Sequence, residues 1–263
     1  MNLLFIGDIV GGPGRMAVRA CLADLVARHQ VDFTIANGEN TAGGLGITPA
    51  VAEELLEAGV DVLTTGNHVW RRRDFIEFAQ NEPRVLRPAN FPVGAPGRGA
   101  DVYVTPHSGP VGVLNLVGRV FMEPLDCPFR TADREIESLH GKTNVIVVDM
   151  HAEATSEKVA MGWHLDGRAS AVIGTHTHVQ TADERILEKG TAYITDAGMT
   201  GPRDSIIGMS RAAVIERFVT GMPTRFDVAG GPLMLNAVVT SINTETGRAH
   251  SIARLIESVE ARP

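Results

Sequence analysis

The sequence predicts an α/β protein with helices packed outside its sheets. Two observations carry this reading. Short apolar runs alternate with helix-like segments through the first third of the chain, in β-α-β-α-β order. The runs are also continuous, as in strands buried on both faces. Leu3–Ile6 is the first such run. Arg15–His29 then has helical periodicity through Met16, Val18, Leu22, Leu25 and Val26. Val31–Ala36 reads as the second strand. Thr48 and Pro49 make a helix start, N-cap followed by a first-turn proline. That helix, Pro49–Ala58, stops at Gly59, and Val60–Thr65 is the third strand.

The middle of the chain changes character. Arg84–Gly118 is rich in Pro and Gly, and its apolar runs Val102–Thr105 and Val111–Val117 read as hairpin strands. Thr131–His140 reads as a helix capped by Thr131, Val145–Val148 as a strand and Lys158–His164 as a helix. Ala171–Ile173 and Ala192–Thr195 are short strands, and Arg211–Val219 is a helix. Leu233–Ile242 and His250–Glu257 flank Thr244-Glu245-Thr246-Gly247, a hairpin turn. No repeat or linker divides the chain, so residues 1–263 read as one domain of two sheets with helices outside.

Composition narrows the function. The 263 residues carry 24 Lys and Arg against 31 Asp and Glu, a net charge of −7, which disfavours duplex nucleic acid as a partner. The 2 cysteines, Cys21 and Cys127, are far apart, so thiolate metal sites and a disulfide scaffold are disfavoured. No targeting segment and no run of the ~20 apolar residues a membrane helix needs is visible, so a cytoplasmic protein without a membrane partner is expected. A homo-oligomer remains open.

The chemistry lies at the strand ends, where α/β folds collect their ligand sites. The first run ends in Gly7-Asp8, the second in Asn37-Gly38-Glu39-Asn40 and the third in Gly66-Asn67-His68. Val145–Val148 ends in Asp149-Met150-His151, and Ala171–Ile173 in Gly174-Thr175-His176-Thr177-His178. All offer oxygen or imidazole donors, suited to zinc, manganese or iron. In an extended chain His176 and His178 would point the same way, which favours a shared metal.

In this order the sequence resembles the calcineurin-type metallophosphoesterases, whose pattern is Asp-x-His, Gly-Asp, Gly-Asn-His, a His, then Gly-His-x-His. It departs at position 10, where Val replaces His, at Glu39, where most members have Asp, and at Thr175, with Gly one place earlier. Those departures, with the Asp196-Ala197-Gly198-Met199-Thr200-Gly201 segment, resemble the YmdB-type bacterial phosphodiesterases. The resemblance implies a four-layer αββα sandwich of two mixed sheets with outer helices. It also implies hydrolysis of phosphodiesters, including 2′,3′-cyclic nucleotides, at a dinuclear site. Asp8, Glu39, Asn40 and His178 would then hold one divalent metal. Glu39, Asn67, His151 and His176 would hold the other, with Glu39 bridging. Asn40 would stand in for the absent His at position 10, which favours iron or manganese over zinc.

Such a site implies attack by a bridging hydroxide between metals about 3.5–4 Å apart. His68 would be the general acid. The expected partner is a small nucleotide or other phosphodiester substrate. Arg71-Arg72-Arg73 reads as a solvated helix face, with a phosphate or base contact as the alternative. Gly12-Pro13-Gly14-Arg15-Met16-Ala17 fits a dinucleotide fingerprint, but Pro13 removes an N–H from that cradle and the histidines stay unexplained. A phosphomonoesterase on the same metal core and a non-catalytic metal-bound regulator are the other readings.

Overall fold

The computed structural model describes residues 1–259. In chain order the elements are β1 (Asn2–Ile6), β2 (Asp8–Ile9), α1 (Gly11–His29), β3 (Phe33–Asn37), α2 (Pro49–Glu57), β4 (Val62–Thr64), α3 (Phe75–Asn81) and β5 (Val85–Leu86). There follow β6 (Ala100–Thr105), β7 (Gly109–Val117), α4 (Pro128–His140), β8 (Val145–His151), α5 (Thr155–His164), β9 (Ala171–Thr175), β10 (Arg185–Ile186) and β11 (Ala192–Ile194). The chain closes with β12 (Met199–Pro202), α6 (Arg211–Thr220), β13 (Leu233–Ile242) and β14 (Ala249–Val259). No described helix is long and apolar enough to cross a membrane.

The strands form two mixed sheets. One runs β2-β12-β13-β1-β3-β4-β5, with β14 along β13. The other runs β10-β11-β9-β8-β7-β6. Both centres are parallel, β1-β3-β4 in the first and β7-β8-β9 in the second. Three apolar cores separate four layers. Leu3, Phe5, Phe33 and Ile35 meet Val111, Val113, Val145 and Val147 between the sheets. Leu4, Ile6, Ala36 and Leu63 face α1, α2 and α3 through Val18, Leu22, Leu25, Leu55 and Phe75. Leu114, Leu116, Ile146 and Val148 face α4 and α5 through Ile136, Leu139 and Met161. Successive strand residues thus go to different cores, which is why the runs show no polar alternation. Each of the Val, Leu, Ile, Phe and Met side chains among these contributes roughly 1.5–3 kcal/mol by leaving water. The αββα sandwich is therefore the fold.

The inter-sheet core turns polar toward the carboxyl ends of its strands, with the period of two kept. Val145 and Val147 on β8 are followed by Asp149 and His151, Ala171 and Ile173 on β9 by Thr175, and Phe33 and Ile35 on β3 by Asn37. The site stands at that end.

Several local expectations are corrected. Thr48 makes no side-chain cap bond, although Pro49 does open α2. Thr131 lies inside α4, whose cap is Cys127, because Pro128 supplies the fixed φ of a first helical residue. α1 begins at Gly11, four residues early, since Pro13 falls in the first turn where N–H groups have no helical partner. Gly14 there packs against β12: a Cβ would lie 2.5 Å from the Thr200 carbonyl oxygen. Gly14 of the fingerprint therefore serves helix packing. Arg71, Arg72 and Arg73 lie exposed in a loop before α3, which was not foreseen, and not on a helix face. Arg72 donates to the Ala42 carbonyl, 2.9 Å away.

Candidate metal centre

Five strand ends converge. Asp8 is on β2, Glu39 and Asn40 follow β3, Asn67 and His68 follow β4, His151 ends β8, and His176 and His178 follow β9. The oxygen donors come from the first sheet and the imidazoles of His151, His176 and His178 from the second. Asp8, Glu39, Asn40 and His151 are buried.

Around Glu39 the ligand atoms fall into two groups. In one, His151 Nε2 lies 3.2 Å from Glu39 Oε1, 3.2 Å from Asn67 Oδ1 and 3.1 Å from His176 Nδ1. One ligand atom each from Glu39, His151 and His176 lies within 4.8 Å of the others. In the second group, His178 Nε2 lies 3.7 Å from Asp8 Oδ1 and 3.4 Å from Asn40 Nδ2, and Asn40 Nδ2 donates to Glu39 Oε1 at 3.1 Å. A metal takes the amide oxygen, so Asn40 as a ligand needs its amide reversed from this orientation. His68 sits beside both groups, its Nδ1 3.1 Å from Asn40 Oδ1 and from Glu39 Oε1, and its backbone N–H donates to Glu39 Oε2 at 3.2 Å.

His176 and His178 do not behave as alternate residues of a strand. β9 ends at Thr175, and both histidines have left-handed backbones, φ 96° and 67°. The loop therefore forks, sending His176 to His151 and His178 to Asp8.

Neighbouring groups fix the rings. His176 Nε2 is 3.2 Å from Glu153 Oε2, which leaves Nδ1 for the centre, and His178 Nδ1 is 3.0 Å from the Ile207 carbonyl, which leaves Nε2. His151 Nδ1 meets Thr175 Oγ1 at 2.9 Å, and Thr175 donates on to Asp149 Oδ1 at 2.6 Å. Asp149 also accepts from Asn37 Nδ2 at 2.9 Å and Thr64 Oγ1 at 2.5 Å. Sequence reading missed Asp149, Thr175, Asn37 and Thr64 as supports. The alternation Val145, Val147, Asp149, His151 was the signal that could have found Asp149.

The buried ionisable groups of the site perturb one another. Burial lifts the Asp8 carboxyl above its usual range, against the pull of His178 and His151. Burial would lift Glu39 too, but the His151 and His68 rings hold it well below. Burial opposes charge on His151, yet Glu39, Asp8 and Asp149 raise it to about 9. Burial and the His151 charge push His176 down to about 3. Burial pushes Asp149 up to about 6.

The residues fit divalent metal. Asp8 Oδ1 is buried without a hydrogen bond. A Cβ on Gly66 would collide with His151 Nε2 and Glu39 Oε2, so the chain has kept that space free of side chain. Gly66→Ala should therefore weaken Mn(II) binding by about tenfold or more, at an overpacking cost of roughly 1–3 kcal/mol. Titration of metal-stripped protein checks this, and wild-type affinity would refute the crowding argument.

A family model described as YmdB-like protein matches residues 4–255. A Bacillus subtilis protein named 2′,3′-cyclic-nucleotide 2′-phosphodiesterase is 51% identical over 256 residues, covering 97% of each chain. A crystal structure of a Mycoplasma pneumoniae protein described as a novel phosphatase superposes with a TM-score of 0.92 at 33% identity, covering 99% of this chain and 94% of that one. The calcineurin-like phosphoesterase YfkN of Bacillus subtilis shares the fold, with a TM-score of 0.60 at 12% identity over 98% of this chain and 90% of its own.

Proposed function

The chain belongs to the YmdB-like protein family, and from that premise we propose that it is a metal-dependent phosphodiesterase acting on 2′,3′-cyclic nucleotides or related nucleotide diesters. The observation that carries the reading is the convergence of seven donor residues in two groups that share Glu39. Asp8, Glu39, Asn40 and His178 would hold one ion; Glu39, Asn67, His151 and His176 would hold the other. The first set has one nitrogen donor among oxygens, which favours manganese or ferrous iron over zinc. Two such ions would neutralise the phosphoryl oxygens and bring water within reach of deprotonation near neutral pH.

The chain's own residues do the rest. His68, whose Nδ1 lies beside Glu39 and Asn40, would give a proton to the leaving alkoxide. Glu153 and Ile207 hold the His176 and His178 rings by their outer nitrogens. A cytoplasmic location and a small anionic substrate belong to the same proposal. The Mycoplasma relative described as a phosphatase supports a second reading, a phosphomonoesterase on the same core.

Metal analysis with a panel of cyclic nucleotides, linear diesters and monoesters tests the proposal. The expected result is two ions per chain and turnover of a 2′,3′-cyclic nucleotide that chelation abolishes and Mn(II) or Fe(II) restores. Preference for monoesters would favour the second reading. Metal-loaded protein inert to every diester would overturn the enzymatic one.

A further inference from the structure

Beneath the forked histidine loop lies a buried ion pair with no part in the ligand set. Lys158, on α5, is 1% exposed and Asp196 is fully buried. Lys158 Nζ donates to Asp196 Oδ2 at 2.8 Å, to the Thr175 carbonyl at 3.1 Å and to Thr177 Oγ1 at 3.2 Å, using all three donors. Asp196 Oδ2 also accepts from the Thr177 hydroxyl at 2.6 Å and the Thr177 backbone N–H at 3.1 Å. Its Oδ1 accepts from the Gly198 N–H at 2.8 Å. Thr177 is thus gripped through both backbone and side chain.

Thr177 separates His176 and His178, whose left-handed backbones send their rings to opposite groups of the centre. Such conformations persist only where surroundings over-determine them. The grip on Thr177 does so here. Below it, a Cβ on Gly174 would meet the Lys158 side chain and collide with the Thr195 carbonyl, so the clamp sits directly against the end of β9.

We propose that Lys158 and Asp196 are positioning residues that clamp Thr177 and thereby set the spacing of the two metal positions, so that both ions are held or lost together. This rests on the two-metal reading above. The pair makes no hydrogen bond to a donor side chain; it fixes the single peptide segment that would supply one imidazole to each ion. A buried charge pair is poor evidence of stability by itself, and its value here is conformational: it selects one loop geometry among those open to the chain.

The test uses Thr177→Val, which keeps shape and removes the hydroxyl, Thr177→Ser, which returns it, and Asp196→Asn. Each stripped protein is titrated with Mn(II), bound ions are counted by elemental analysis, and electron paramagnetic resonance distinguishes a coupled Mn–Mn pair from isolated ions. Wild type should bind two ions with the coupled spectrum. Thr177→Val should bind both at least tenfold more weakly and lose the coupling while its thermal midpoint stays close to wild type. Thr177→Ser should recover the coupled spectrum, and Asp196→Asn should lose it. A wild-type coupled spectrum and affinity in Thr177→Val overturns the clamp, as does loss of one ion with the other unchanged. Wild type that binds no pair at all removes the two-metal reading itself, which separates that failure from failure of the clamp.

Discussion

Glu39→Gln should take the metal content below two ions per chain and lower kcat/KM on a 2′,3′-cyclic nucleotide by about a thousandfold, equivalent to roughly 4 kcal/mol of transition-state stabilisation. Glu39 is the one carboxylate shared by both groups of donors. Its Oε1 is 3.2 Å from His151 Nε2 and 3.1 Å from the Asn40 amide nitrogen. An amide of the same shape keeps the packing and removes the negative charge that two neighbouring cations would share. The fold should survive, because without that charge His151 loses the main influence raising its pKa and can sit neutral among Thr175 and Asn67. Elemental analysis, circular dichroism and steady-state kinetics on one preparation decide the matter. Two retained ions with more than a tenth of wild-type activity would remove Glu39 from the bridging role.

The second large effect is expected at His68. His68→Ala should keep both ions and lose about 10²–10⁴-fold in turnover, the range that a positioned general acid contributes. Its Nδ1 is held by Asn40 and Glu39, so the ring has a fixed attitude beside the donors without being one of them. The loss should shrink for a diester whose leaving alcohol is acidic, such as a nitrophenyl ester, because that group departs without a proton. Equal losses on both substrates with metal content intact would assign His68 to phosphate binding, and near-normal turnover would end its catalytic role.

The donors were legible because they sit where apolar runs stop. Asp8, Glu39, Asn67, His151 and His176 each interrupt a buried strand pattern with a residue too polar to be there for packing. The family resemblance then gave them an order. The sandwich itself was only half legible: β-α-β alternation predicts α/β, but which strands face each other across the middle core depends on contacts far apart in sequence. For the same reason the ring-fixing partners were hidden. Thr64 meets Asp149 across the sheets, 85 positions apart, and nothing local marks either as a partner of the other. Lys158 looks like any surface helix lysine until α5 is seen to press it against Asp196. The expectation about His176 and His178 failed because it assumed an extended chain. Both rings do reach the candidate centre, but the left-handed turn that aims them depends on a grip supplied from α5 and from the turn after β11.

The division of donors between the sheets has a consequence for the life of the protein. On the proposed ligand assignment, oxygen donors stand on one sheet and imidazoles on the other, so neither half carries a complete set before the two have docked. Metal would then favour the assembled chain by mass action, by about 4 kcal/mol per site at a thousandfold excess over Kd. That is comparable to much of a domain's net stability, about 5–15 kcal/mol. The supply of metal would thus govern both the rate of the chemistry and how much folded protein escapes proteolysis.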